Sequence, residues 1–442
     1  MPVARAPVAP EPVSSAMALS TFDTLWTVVR NTYVDTAFVA SQWTAIRDTL
    51  RPRASRVGNR KELNALLATT LKRIPDSHFY IIPEEAADPD EKDNPSGAGG
   101  TTGLYVRAMG DKAVAWRVEP GSPAAASGIT PGQTIAKLGD RDLSAALKKV
   151  DDVPSAGRAR ALSEVLFSFN HAVSPAAGMT VHAGIESSGR IVDHALVAVP
   201  ATGTISQFGN LPPIAGHVVG KKVGGPNAPC VGVISFNIWL PALVPEIERA
   251  MDGITGCAGI VIDLRGNPGG LGAMVMGFGG YFVDSVISLG TMRSRQLSLR
   301  FVMNPRHVRN DGSAVTPYIG PVAILVDPMS ASTSEIFAAG MQRIGRARVF
   351  GERSAGAALP AMMDRLPSGD VFVHAVADFT DPDGKRIEGA GVVPDEITPL
   401  SAKDMVDGRD TALEAAVRWI RRSPATQRAP VSQTGNVHPN FN

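Results

Sequence analysis

From Gly232 onward, short apolar runs and amphipathic stretches take turns, and this rhythm constrains the fold more than any other feature. VGVISF precedes PALVPEIERAMDGI. GIVIDL precedes a Gly-rich turn and a helix of small residues. VAILVD precedes SEIFAAGMQRIG, and RVFGE follows. Apolar runs of strand length alternating with helices imply parallel strands joined by crossovers. TALEAAVRWIRR closes this α/β core, expected over residues 201–422, and residues 423–442 read as a tail.

The chain has 442 residues, more than such a core needs. At about 150 residues per domain, its length fits about three domains. Residues 1–19 are rich in Pro and small side chains and read as a disordered tail. Residues 20–96 read as a helical unit and its linker. Phe22, Leu25, Trp26, Val29 and Tyr33 recur at helical spacing, and Leu63, Leu66, Leu67 and Leu71 mark a second amphipathic helix. The helices run to about Ile82, and the acidic stretch Pro83–Pro95 is a solvated connection. Residues 97–200 read as an independent β-domain. GLYVRAM, AVAWRV, TIAKLGDRDL, MTVHAGI and DHALVAV alternate as strands do, around a short helix within EPGSPAAASGITPG. The expected class is multidomain α/β.

Composition removes several functions. Apolar residues make up 44% and charged residues 19%, which excludes a coiled coil and a disordered chain. The 43 basic and 42 acidic side chains give a net charge of +1, with no general attraction to nucleic acid or to an anionic membrane. No run of about 18 apolar residues marks a membrane span. The opening residues lack the apolar core of a secretory leader, so the expectation is a cytoplasmic protein or the mature form of an exported one. The histidines are scattered and the two cysteines do not form a metal-binding spacing. Cys230 and Cys257 precede consecutive strands of one βαβ unit, and they can bridge if those strands are neighbours.

Four places carry candidate chemistry. Ser332 lies between VAILVD and the helix that follows, where free N–H groups and the helix dipole suit a nucleophile whose attack creates an oxyanion. Ser332-Thr333-Ser334-Glu335 also fits a plain capping box. Gly269 and Gly270, in DLRGNPGG after a strand, either offer an oxyanion donor or merely make a tight turn. Ser77-His78 ends the helical unit, where the imidazole is a general base or a structural group. Glu388 sits in the Gly-flanked turn IEGAGVVPD.

Together, GIVIDLRGNPGG and ILVDPMSASTSEIFAAGMQRIGRARVFGE resemble the C-terminal processing, or tail-specific, serine peptidases. The resemblance extends over about residues 20–420. It implies a helical N-terminal unit, a PDZ-like domain and a ClpP/crotonase-like α/β protease core. The PDZ-like match rests on VEPGSPAAASGITPGQTIAKLGDRDL, where Gln133 replaces the usual acidic residue. The family motif puts the nucleophile on Ser332. It puts the oxyanion N–H groups on Thr333 and on Gly269 or Gly270. Members with a Ser-Lys dyad carry a lysine where this chain has Ala357, and alanine cannot take a proton. The other branch resembles the tricorn protease core, whose Ser-His pair matches Ser77-His78 and whose glutamate matches Glu388. The residue after the nucleophile, acidic in that branch and linked to basic P1 side chains, is Thr333 here, so that preference is not carried over.

The resemblance thus implies a serine endopeptidase. Ser332 attacks, His78 is the base, and Ser77 links His78 to Glu388. No metal or cofactor is required. The substrate is a polypeptide, held by its C-terminus through the PDZ-like loop Gly103-Leu104-Tyr105 and its neighbour Thr102. A periplasmic or secreted location follows from the same resemblance, and homo-oligomerisation is left open. Two other classes remain at this stage: an inactive peptide-binding scaffold on the same fold, and an acyl-CoA enzyme of crotonase type.

Overall fold

The computed structural model describes residues 11–84, 99–187, 189–207, 209, 213–224, 228–399 and 401–423. Most of the expected linker after Glu84 and the expected C-terminal tail beyond Ser423 lie outside the described residues, as do residues 1–10. The core is a six-stranded sheet in the order Val218–Val223, Val231–Phe236, Gly259–Asp263, Val322–Val326, Arg348–Gly351, Glu396–Ile397. The first pair is antiparallel and every later pair is parallel.

Side chains alternate across a strand, so each apolar run serves two layers. Ile234, Phe236, Ile260, Ile262 and Ile324 face one cluster, with Ile247 and Met251 of the helix Val244–Ile254 and Ile336 and Phe337 of the helix Thr333–Arg343. Val231, Val233, Val261, Ala323 and Leu325 face the other, against Ala412, Ala415, Ala416 and Ile420 of the helix Thr411–Arg422. The rhythm that opened the sequence reading thus gives a sheet covered on both faces. Cys230 and Cys257 form a disulfide at the entry of two paired strands, with Val231 opposite Gly259.

The tail expected over residues 1–19 begins its order earlier. Ser14 caps a helix over Ser15–Thr32 by accepting from the Met17 N–H, and Ala18 and Phe22 are fully buried. Glu11 and Val13 bond to Arg60 and Gly58. A cap and a buried face outweigh the Pro-rich composition. Trp26 and Trp43 lock this helix to the next segment, each indole N–H donating to the other's carbonyl at 3.1 and 3.0 Å.

After the helix Arg60–Leu71 the chain turns at Asp76–Phe79. Tyr80–Ile82 then pairs with the strand Val371–Ala375, in the C-terminal part of the chain. The N-terminal helices and the core therefore meet at the Ser77-His78 turn.

The segments read as strands between 97 and 200 build one antiparallel sheet, in the order Leu104–Met109, Lys112–Val118, Thr134–Leu138, Thr180–Ser187, Arg190–Val197. The helix Ser155–Ala172 lies beside its first strand, which is an edge. Met329, three residues before Ser332, is buried in this unit's apolar cluster.

Candidate active site

Ser332 follows the strand Val322–Val326 and caps the helix Thr333–Arg343. Its φ of +53° is left-handed, a conformation that costs a side-chain-bearing residue about 1–3 kcal/mol. Among the described residues one other non-glycine has positive φ, and it is His78, at +62°. The capping-box reading is also met: the Glu335 carboxylate accepts from the Ser332 N–H at 3.2 Å. Cap and nucleophile are therefore not alternatives at this position.

Ser77, His78 and Glu388 meet directly. Ser77 Oγ lies 2.7 Å from His78 Nδ1 and donates to Glu388 Oε2 at 3.0 Å. The Ser77 N–H donates to Glu388 Oε1 at 2.7 Å, and the Ala358 N–H to Oε2 at 2.8 Å. Burial raises the Glu388 pKa against these donors. His78 keeps some exposed surface, yet the protein packed around it pushes its pKa down to about 4. The imidazole is neutral near pH 7.

Ser332 joins this group through the segment Ala357-Ala358. The Ala357 carbonyl accepts from the Ser332 N–H at 2.7 Å, and the next N–H, on Ala358, is the one held by Glu388. No hydrogen bond links Ser332 Oγ to His78 Nε2 in this resting arrangement. Catalytic hydrogen bonds are often long until substrate is bound.

The Gly-rich turn lies against the same serine. A Cβ on Gly269 would fall 2.7 Å from the Ser332 Cβ and 3.0 Å from the Thr333 nitrogen, and one on Gly270 would fall 2.3 Å from the Trp239 carbonyl oxygen. Only glycine fits either place. The Gly269 N–H, an expected oxyanion donor, is already given to Asn267 Oδ1 at 3.0 Å. That expectation is corrected by a neighbour's side chain. Among the described residues the Gly270 N–H has no acceptor, and Gly270 is exposed. The Thr333 N–H is at the first helical position, where no acceptor exists within the helix. The Thr333 hydroxyl is spent on main chain, donating to the Gly270 carbonyl at 2.8 Å.

Two residues of this site were not singled out in the sequence for the part they play. Asn267 is fully buried and donates to the Phe236 carbonyl at 2.8 Å while it accepts from Gly269. Glu335, read only as a cap, is fully buried and also accepts from Ser354 Oγ, Gly356 N and Ala357 N at 2.6, 2.7 and 2.9 Å. Burial, opposed by these donors and reinforced by the charge of Glu388, pushes its pKa up to about 7. An acidic residue directly before the apolar run Ile336-Phe337-Ala338-Ala339 was the signal available.

The expected carboxylate loop looks different. The Thr102 N–H donates to the Val173 carbonyl at 3.3 Å and the Gly103 N–H to Thr101 Oγ1 at 2.9 Å. Leu104 is buried in the unit's core, and Tyr105 donates its hydroxyl to Glu119 at 2.6 Å. The expectation that this loop's N–H groups stand open fails at Thr102 and Gly103, because the unit satisfies them itself.

Residues 231–398 match the model of peptidase family S41, and residues 18–72 match the tricorn protease C1 domain. A carboxyl-terminal-processing protease of Picosynechococcus is 26% identical over 382 residues, covering 85% of this chain and 81% of that one. A probable CtpA-like serine protease of Staphylococcus aureus is 24% identical over 301 residues, 66% of this chain and about half (51%) of the relative. Among solved structures, mature CPAF superposes with a TM-score of 0.62 at 13% identity, over 92% of this chain and 97% of that one. The photosystem II D1 C-terminal processing protease does so with a TM-score of 0.56 at 18% identity, over 94% and 99%. These two share the fold. Residues 231–398 are thus a peptidase family S41 region, and the chain, similar along most of its length to carboxyl-terminal-processing proteases, is a serine-type hydrolase.

Proposed function

We propose that Ser332 is the nucleophile, that His78 is its general base, and that Ser77 and Glu388 orient the base. The observation that carries this reading is the hydrogen-bonded path from His78 through Ser77, Glu388 and Ala358-Ala357 to Ser332. It runs through the position where a dyad lysine would stand, and that position holds Ala357.

The proton inventory is consistent with the role. The Ser77 hydroxyl has one proton and gives it to Glu388, so toward His78 it accepts. Nδ1 then carries the ring proton and Nε2 keeps its lone pair. Nε2 takes the Ser332 proton as Oγ attacks the scissile carbonyl. The imidazolium is balanced through Ser77 by the Glu388 carboxylate, which is triad logic with one hydroxyl inserted. The N–H groups of Gly270 and Thr333 receive the oxyanion, each worth about 10²–10³ in rate. His78 returns the proton to the leaving amine, and water then resolves the acyl-enzyme.

The β-unit over residues 97–200 is the PDZ-like candidate for holding a polypeptide C-terminus along its edge strand Leu104–Met109. Asn170 of the neighbouring helix stands on that edge, accepting from the Val106 N–H and donating to the Val106 carbonyl, both at 2.9 Å. A peptide adding as a strand would displace this amide. The disulfide fits an oxidising compartment.

A fluorophosphonate probe tests the central claim. Labelling is expected for the wild type and lost in Ser332→Ala. His78→Ala should label far more slowly while keeping its circular dichroism. Absence of labelling in the folded wild type would favour the inactive scaffold instead.

A further inference from the structure

Beside the Ser77–Glu388 contact runs a second one, between the same two segments. Arg386 grips Asp76 with two bonds, Nη1 to Oδ1 at 3.1 Å and Nη2 to Oδ2 at 2.7 Å. Its Nε is held by both oxygens of Asp378, at 3.0 and 2.9 Å, on the strand Ala377–Thr380. Asp76 also accepts from the hydroxyl of fully buried Tyr33 at 2.8 Å. The Tyr33 ring meets Phe79 edge-on at 5.2 Å. The residues on both sides of Ser77-His78 are thus fixed, and His78 itself is held at positive φ.

We propose that Asp76 and Arg386 are a positioning pair for the hydrolytic reaction, setting the register of the Ser77-His78 turn against Glu388. The proposal rests on the reading of His78 as base. The bidentate geometry gives orientation as well as attraction. Arg386 is about two-fifths exposed, and exposed pairs add little stability. The effect belongs in the rate rather than in the melting temperature. A tilt of the turn moves Nε2 away from Ser332, and a displacement of about 1 Å can cost a hundredfold.

The pair also sets the local charge. Glu388 faces Asp76, whose charge raises its pKa, and the buried Glu335. Around it stand the Ser77 and Ala358 donors, with His78 beyond Ser77 and Arg386 balancing Asp76. Without Arg386 the carboxylate of Asp76 is uncompensated, and the acid limb of kcat/KM moves to higher pH. Without the charge of Asp76 it moves to lower pH.

The test compares Arg386→Gln, Arg386→Lys and Asp76→Asn with wild type and His78→Ala on one peptide substrate. Arg386→Gln is expected to lower kcat about tenfold to a hundredfold with KM within about twofold. Arg386→Lys should recover part of that loss, and the two charge-removing variants should shift the acid limb in opposite directions. Unchanged kcat and acid limbs in Arg386→Gln and Asp76→Asn, with His78→Ala inactive, would overturn this proposal alone. An active His78→Ala would overturn it together with the reading beneath it. If Arg386→Gln does not fold, the Arg386→Lys and Asp76→Asn profiles decide.

Discussion

The two candidate sites of this chain differ in what their polar groups have left over. Around Ser332, burial and hydrogen bonding consume nearly every donor and acceptor, yet Nε2 of His78 and the N–H groups of Gly270 and Thr333 have no hydrogen-bond partner among the described residues. In the β-unit, the loop at Thr102 and Gly103 and the edge at Val106 are closed by the protein's own groups. A glycine turn shows where backbone can be exposed. Only the full accounting of partners shows whether it is.

The largest expected effect tests the first half of that contrast. In the proposed mechanism, Glu388→Gln keeps the shape but removes the charge that would balance the imidazolium. It should lower kcat by up to about 10⁴, as loss of the third triad member does elsewhere. Steady-state hydrolysis checks this, and a loss under about threefold would detach Glu388 from the mechanism. The proposed peptide binding by the β-unit should not change.

Next in size is the disulfide, a staple that the core has and the β-unit lacks. Closing a loop of 27 residues is worth about 3–4 kcal/mol in the chain-entropy picture. Reduction should lower the unfolding free energy of the core by that amount, read as a lower denaturant midpoint, followed by loss of hydrolytic activity on partial unfolding. An unchanged midpoint under reductant would show that the bridge does not stabilise the core.

A third test uses pH. The His78 pKa is about 4 in the folded protein, against 6.5 for an ordinary imidazole. Between those values the unfolded chain binds the extra proton, so stability from keeping His78 neutral is full above pH 6.5 and is lost as pH falls toward 4. Wild type should therefore lose denaturant stability more steeply across that window than His78→Gln, and equal slopes would place the imidazole in a solvated setting.

The contrast also explains what the sequence revealed. Short apolar runs specify a sheet buried on both faces, so the core was legible from VGVISF, GIVIDL and VAILVD. The strand Val218–Val223 was not, because VVGKKV is a half-exposed edge with two lysines. Ser332, Ser77, His78 and Glu388 stood out through motifs. Glu335 stood out only as a cap and Asn267 not at all, since their bonds to the distant segments Ser354–Ala357 and Phe236 are not encoded in local spacing. The Gly269 donor was lost to the same kind of partner.

Asn170 gives the smallest effect and the clearest way to break the comparison. Its amide meets both polar groups of Val106 across 64 residues of chain, as an added strand would. It also reaches Met329 Sδ, as does buried Arg107, which pairs with Asp327 at 2.5 Å. If the edge is closed mainly by this amide, Asn170→Leu should open it while filling the same space. Two hydrogen bonds of about 0.5–1 kcal/mol each correspond to a gain of about five- to thirtyfold in affinity. The gain should appear for a peptide with a free C-terminal carboxylate more than for its amidated twin. Equal and unchanged affinities in wild type and variant would mean that the edge is structural, and that Asn170 only ties the helix Ser155–Ala172 to its sheet.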